Sequence, residues 1–294
     1  MMQAALFRKE VLGSLEAARG TYIYDAARRD LDEKTAADDP CGYRRWLAGL
    51  AGHVKRTLGV DTLRVLDVGC GNGELTVLLN LLGIDALGLD VDERSLRLAR
   101  ILACENGIPP SRFMKGEPGR LAFGDDAFNL VTLISSLEHI DPPTLAWLVP
   151  ELARVCEGIV FVQVPSPMKV SDDHTGLRFV PWMPAALARR YVALRGARYR
   201  YLISGSARWD VVYRDLAEIE RAFAPHFAMS FVPVEHSYPP CAPADAVLDL
   251  RKRVSLGGGG FPLRVPIPWR RLQLACGRRI EHFYPYYNLA FRRR

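Results

Sequence analysis

The residues best suited to chemistry lie in Val65-Leu66-Asp67-Val68-Gly69-Cys70-Gly71-Asn72-Gly73-Glu74. An apolar run meets an acid, glycines alternate at 69, 71 and 73, and a helical pattern follows. Glycine lets the backbone turn tightly and approach a ligand that a Cβ would push away. The segment therefore reads as a strand feeding a nucleotide-binding loop. A pyrophosphate-binding loop takes G-x-G-x-x-G, which asks for glycine at 74, where this chain has Glu74. Asp67 would also repel a pyrophosphate, but it suits a ligand carrying a cationic amino group. A second apolar run, Ala86-Leu87-Gly88-Leu89, ends in Asp90, 17 residues after Gly73. A carboxylate offers acceptors only, so Asp90 can take both hydroxyls of a ribose.

The elements around these residues follow a regular order. Leu75, Leu78, Leu79 and Leu82 recur at helical spacing, and Gly83 closes that helix. Gly116-Glu117, Leu121-Ala122-Phe123, Asp126-Ala127-Phe128-Asn129-Leu130-Val131 and Ser135-Ser136-Leu137-Glu138-His139-Ile140 come next. Over residues 63–165 these segments resemble, in content and order, the motifs of the class I S-adenosylmethionine-dependent methyltransferases. The resemblance implies S-adenosylmethionine as cofactor, with Asp67, Gly69, Cys70, Gly71 and Gly73 in its loop and Asp90 on its ribose. It places Val91 beside the adenine, Glu117 on the adenine amino group, and Pro118 and Ser135 in the same site. The chain departs from the family pattern where Glu117 replaces an Asp, Ala122 a Pro and Asn129 an Asp.

The expected fold is α/β, a doubly wound seven-stranded Rossmann-like sheet with an N-terminal helical lid and an insertion before the last strand. Residues 1–60 form the lid, 61–235 the cofactor-binding core and 236–294 a basic extension. Strands are expected near 63–67, 86–90, 112–116, 128–134, 159–165 and 227–234, and helices near 183–195 and 212–224. The resemblance adds an antiparallel seventh strand at Tyr286–Phe291. Phe7, Val11, Leu15 and Ala18 mark one N-terminal helix, and Trp46, Leu47, Leu50 and Val54 another, with Asp38-Asp39-Pro40-Cys41-Gly42 between them. Tyr22, Tyr24 and Arg28 could line an acceptor pocket or simply pack. Asp141-Pro142-Pro143-Thr144 reads as a helix start, with Asp141 as N-cap, rather than as a base-methylating motif. Pro239-Pro240-Cys241 reads as a turn.

A hydroxyl acceptor needs a base or a metal to remove its proton. His139, after the fourth strand, and His174, after the fifth, are the histidines placed on the acceptor side. A neutral imidazole is a suitable base near pH 7. The spacing His174-x-x-Leu177-x-Phe179-x-Pro181-Trp182-x-Pro184 loosely resembles methyltransferases that tailor glycans or lipids. No compact Asp/Asn cluster follows strand four or five and no C-x-x-C pair occurs, so no metal is expected.

The composition sets outer limits. At 294 residues, with 49% hydrophobic and 24% charged residues, the chain is of ordinary globular type. No apolar run approaches the roughly 20 residues that span a bilayer, and Met1–Glu10 lacks a signal-peptide core. Six scattered cysteines suit a reducing cytoplasm. Net charge is +6, but residues 241–294 hold 11 Lys+Arg against 3 Asp+Glu. That tail, with Phe261, Ile267 and Trp269 beyond a Gly257–Gly260 hinge, suits the inner face of an anionic membrane. A homodimer contact, packing of its apolar residues against the sheet, and partial disorder are its other readings. The function expected is O-methylation of a small molecule or a glycan- or lipid-linked intermediate. The alternative is RNA or protein methylation anchored by the tail, although the tail has no RNA-binding signature. A non-catalytic binding role sits poorly with an intact loop and Asp90.

Overall fold

The computed structural model describes residues 2–16, 19, 22–36, 38–39, 42–195, 211–233, 236–237 and 286–294. The 257–260 hinge, Phe261, Ile267, Trp269, Pro239-Pro240-Cys241, Pro40-Cys41 and Ala18 lie outside the described residues, as does the side chain of Tyr22.

Seven strands form a single sheet in the order β3-β2-β1-β4-β5-β7-β6. They are β1 (Arg64–Val68), β2 (Asp85–Asp90), β3 (Phe113–Lys115), β4 (Phe128–Ile134), β5 (Cys156–Pro165), β6 (Phe227–Phe231) and β7 (Tyr286–Arg293). The first five run parallel, and β7 lies antiparallel between β5 and β6. Both faces of the sheet are covered, which explains why its central strands read as near-continuous apolar runs. Val65, Leu130, Ile159 and Phe161 enter the core on one face; Leu66, Val131, Val160 and Val162 enter the core on the other.

The first core is closed by α1 (Ala5–Ser14), α3 (Tyr43–Leu58), α4 (Glu74–Leu81) and α5 (Glu93–Glu105). The second is closed by α6 (Pro142–Val155) and α8 (Leu216–Phe223). The start of α1 is fixed to the end of α5: the Leu6 and Phe7 amides donate to the Glu105 carboxylate at 2.8 and 2.9 Å. Lys34 of α2 (Tyr22–Thr35) is close enough to act electrostatically on Glu74 in the first turn of α4. That brings α2 beside the glycine loop. Tyr24 lies under the Arg19 guanidinium. Asp141 caps α6 as expected, its carboxylate accepting from the Thr144 amide at 2.8 Å, with Pro142 opening the helix. The helix expected over 212–224 begins only at Leu216, capped by Asp215. Residues 211–215 are instead committed to the site described next.

Candidate active site

The strand order reverses between β1 and β4, so the carboxyl ends of these strands border a crevice of the kind that binds ligands in open parallel sheets. The glycine loop crosses it. Gly69 and Cys70 donate their amides to Leu89 O at 2.8 and 3.1 Å, and Gly116 donates to Asp90 O at 2.8 Å. These bonds tie the ends of β1, β2 and β3 into one rim.

The glycines have different duties. All three have positive φ. A Cβ at Gly69 would lie 2.5 Å from Ser136 Cβ, and one at Gly73 would lie 2.7 Å from both Ala99 Cβ and Phe113 Cε1. Those two glycines permit close packing. A Cβ at Gly71 would meet nothing within 4 Å among the described residues. The space above Gly71 is open, as a bound ligand requires.

Asp90 ends β2 with each carboxylate oxygen fixed by a backbone amide, Gly71 N to Oδ2 at 2.8 Å and Asp92 N to Oδ1 at 2.9 Å. Each oxygen keeps a lone pair for a further donor. Val91, beside it, is 71% exposed, an apolar surface with room for a flat ring. Gly116 packs near Val91, and Glu117 and Pro118 are exposed at the same rim. These features fit S-adenosylmethionine: acceptors for ribose hydroxyls, an apolar face for the base, and a loop open to close approach.

Asp67 lies beneath the loop, 3% exposed, where Thr76 and Thr132 donate to its two oxygens at 2.9 and 2.8 Å. Burial pushes its carboxyl up to about 6 despite these bonds. Cys70 is buried, and burial raises its thiol far above the usual range, so it is an inert packing group. Asn129 sits away from the crevice, its side chain accepting from the Arg64 amide and donating to Thr62 O. The family's acid is thus replaced here by a tie that positions the start of β1.

On the other side of the crevice, Ser135 takes a left-handed φ of 51° and is held by Gln163, whose Oε1 accepts from the Ser135 amide and hydroxyl at 3.0 and 2.9 Å. A short 3-10 turn, Leu137–His139, follows. His139 and His174 come together there, ring centroids 4.9 Å apart and edge to face. Glu138 joins them, 1% exposed, with Oε1 4.0 Å from His174 Nε2. Burial raises the Glu138 carboxyl to about 7. The Ser136 hydroxyl, the Gln163 amide nitrogen and Glu138 Oε2 are buried and have no hydrogen-bond partner among the described residues. Buried polar atoms are nearly always satisfied, so unsatisfied ones clustered at a crevice point to something that binds there.

Long-range contacts hold this corner in place. Val212 donates its amide to Glu138 O at 2.7 Å. The fully buried Arg214 donates to Leu137 O at 2.7 Å and also to Ile140 O. His174 lies in a turn closed by Asp172, which accepts from the Thr175 amide at 2.7 Å and hydroxyl at 2.6 Å and from the Tyr213 hydroxyl at 2.7 Å. Lys169 pairs with Asp173 and donates to the Tyr286 hydroxyl at 2.7 Å, anchoring the connection to β7. Sequence reasoning quoted Glu138 but gave it no role, and it missed Ser136, Gln163, Arg214 and Tyr213. The Leu-Glu-His stretch was the available signal for Glu138.

Residues 65–158 match the family model described as a methyltransferase domain. That stretch carries a methyltransferase domain. Among curated relatives, the chain is 27% identical over 140 residues to the ubiquinone biosynthesis O-methyltransferase of Photorhabdus laumondii, covering 47% of this chain and 54% of that protein. The protein of that name from Leptothrix cholodnii is 34% identical over 109 residues, 36% of this chain and 44% of its own. An uncharacterized methyltransferase from Synechocystis is 26% identical over 157 residues, 53% of this chain and 63% of its own. The chain therefore spans about half the length of the curated relatives it matches. No helix among the described residues is long and apolar enough to cross a membrane.

Proposed function

We propose that this methyltransferase methylates a hydroxyl of a small molecule or of a glycan- or lipid-linked intermediate. The observation that carries the reading is the pairing of His139 and His174 with Glu138 across the crevice from the glycine loop. The relatives named for an O-methylation in ubiquinone biosynthesis support a hydroxyl as acceptor.

When bound, S-adenosylmethionine supplies an electrophilic methyl group that needs no further activation. Gly71 and Asp90 would hold its nucleoside part, and Asp67, beneath the loop, would serve its cationic amino group, since a nearby cation favours the ionised carboxylate. Ser136 Oγ and Gln163 Nε2 are groups that an acceptor could satisfy. Productive alignment needs the acceptor oxygen within about 3–3.5 Å of the methyl carbon. The cluster at 138, 139 and 174 is the place for the acceptor's proton to leave. The connection after β5 carries Phe179 and Trp182, 45% and 49% exposed. Their rings are 5.4 Å apart and suit an acceptor with apolar parts. The basic tail suits an acceptor at an anionic membrane surface.

Methyl-labelled S-adenosylmethionine offered with hydroxylated small molecules, glycan-linked lipids, RNA and protein would test this. The label is expected on a hydroxyl of the first two classes. His139→Ala and His174→Ala should each lower turnover by roughly 100-fold or more while leaving cofactor affinity within about 2-fold. Label found only in RNA or protein, or full activity in both variants, would defeat the proposal.

A further inference from the structure

The Glu138–His139–His174 cluster has a feature that a pair of bases does not require. Its three ligand atoms, one from each side chain, lie within 4.8 Å of one another. A triangle of that size has a point within about 2.8 Å of every corner, about 0.6–0.8 Å beyond zinc-class bond lengths of about 2.0–2.2 Å. Small side-chain rotations close that gap. The cluster combines two imidazoles with a carboxylate, whose second oxygen is buried without a hydrogen-bond partner among the described residues.

We propose that Glu138, His139 and His174 bind a divalent cation of the zinc class. Imidazole nitrogen favours zinc and cobalt over magnesium, which prefers oxygen ligands. Three protein ligands leave coordination positions open, the arrangement of a catalytic rather than a structural site. The surrounding contacts suit a preformed site. Val212 and Arg214 hold the carbonyls of the turn bearing Glu138 and His139, and the Asp172–Thr175 bonds fix the turn bearing His174. Such supporting bonds aim ligands at a common point. Sequence spacing could not show this site, because His174 is 35 residues beyond His139. The inference rests on the hydroxyl-acceptor reading and deepens it. A cation here would lower the pKa of the acceptor hydroxyl, whose proton would pass to water, with the three residues serving as ligands rather than bases. The competing arrangement, a protonated His174 facing Glu138, needs no metal.

The test uses the full chain, stripped with a chelator and dialysed. Zn2+ is titrated by calorimetry, Co2+ by visible absorption, and S-adenosylmethionine by calorimetry on the same preparation. Wild type should bind about one equivalent of Zn2+ at micromolar concentration or tighter, Mg2+ far more weakly, and give a Co2+ spectrum of nitrogen and oxygen ligation. His174→Ala and Glu138→Gln should each weaken Zn2+ binding by at least about 100-fold while keeping cofactor affinity. Should either variant fail to fold, the wild-type Co2+ spectrum still decides the matter. Wild type that binds S-adenosylmethionine but no Zn2+ or Co2+ would overturn the metal site alone, as would Zn2+ affinity unchanged in both variants. Wild type that binds neither would overturn the methyltransferase reading as well.

Discussion

Gly71 and Gly73 are two residues apart, yet alanine at each should fail differently. At Gly71, φ is 52° and an added Cβ meets no atom of the described residues within 4 Å. The cost to folding is the left-handed backbone alone, about 1–2 kcal/mol for a residue with a Cβ. Reduced freedom of the unfolded chain offsets roughly half of it. At Gly73, φ is 85° and the Cβ would lie 2.7 Å from Ala99 Cβ and from the Phe113 ring. Neither neighbour is the flexible end of a long side chain, so overpacking of about 1–3 kcal/mol adds to the backbone cost. At roughly 2–4 °C per kcal/mol for a domain of this size, Gly71→Ala should lower Tm by about 1–4 °C and Gly73→Ala by about 3–16 °C. Cofactor affinity should show the reverse order per unit of stability lost. Gly71→Ala should weaken S-adenosylmethionine binding by roughly 10–100-fold, because its methyl occupies space reserved for the ligand. Differential scanning fluorimetry and calorimetry on both variants make the comparison. Equal melting temperatures would refute the packing assignment, and wild-type affinity in Gly71→Ala would refute the assignment of the open space.

Two further outcomes follow from the buried acid and the tail. Burial raises the Asp67 carboxyl from 3.8 to about 6 in the fold, so its protonated form is favoured there and its stabilising share is complete below about pH 4. That share is lost as pH rises to about 6, a loss of about 3 kcal/mol at 1.36 kcal/mol per pH unit. In urea titrations at pH 4 and 7, Asp67→Asn should therefore gain about 3 kcal/mol on the wild type between the two; parallel stabilities would show that Asp67 carries no such burden. Replacing residues 257–279 by a short Gly/Ser linker should preserve cofactor affinity and abolish co-sedimentation with anionic vesicles, and a wild type that ignores such vesicles at low salt would remove the membrane reading of the tail.

The positions of the strands and the glycine loop were legible because their signals are local. Apolar runs ending in Asp67 and Asp90, glycines at alternate positions and the Asp141 cap each act within a few residues. The corner around Glu138 was not legible in the same way. The Arg214 guanidinium reaches carbonyls 74 and 77 residues away, and a sequence pattern does not encode such a pairing. The same contacts explain the misplaced start of α8: with the Val212 amide and the Arg214 side chain engaged at Leu137–Ile140, the helix waits for the Asp215 cap. His139 and His174 were visible singly. Their meeting depends on the Asp172–Tyr213 bond and the Lys169–Tyr286 anchor, which fold the β5 connection over the crevice.

The central claim is that the rim formed by the glycine loop and Asp90 binds S-adenosylmethionine. Calorimetric titration of the wild type and Asp90→Ala with S-adenosylmethionine, S-adenosylhomocysteine and NAD tests it most directly. The wild type should bind the first two without added metal and ignore NAD. Asp90→Ala should bind more weakly by roughly 1.5–3 kcal/mol, the scale of hydrogen bonds to a charged group, because it loses both the ribose acceptors and the Gly71 tether. No binding by the wild type, tight NAD binding, or unchanged affinity in Asp90→Ala would contradict it.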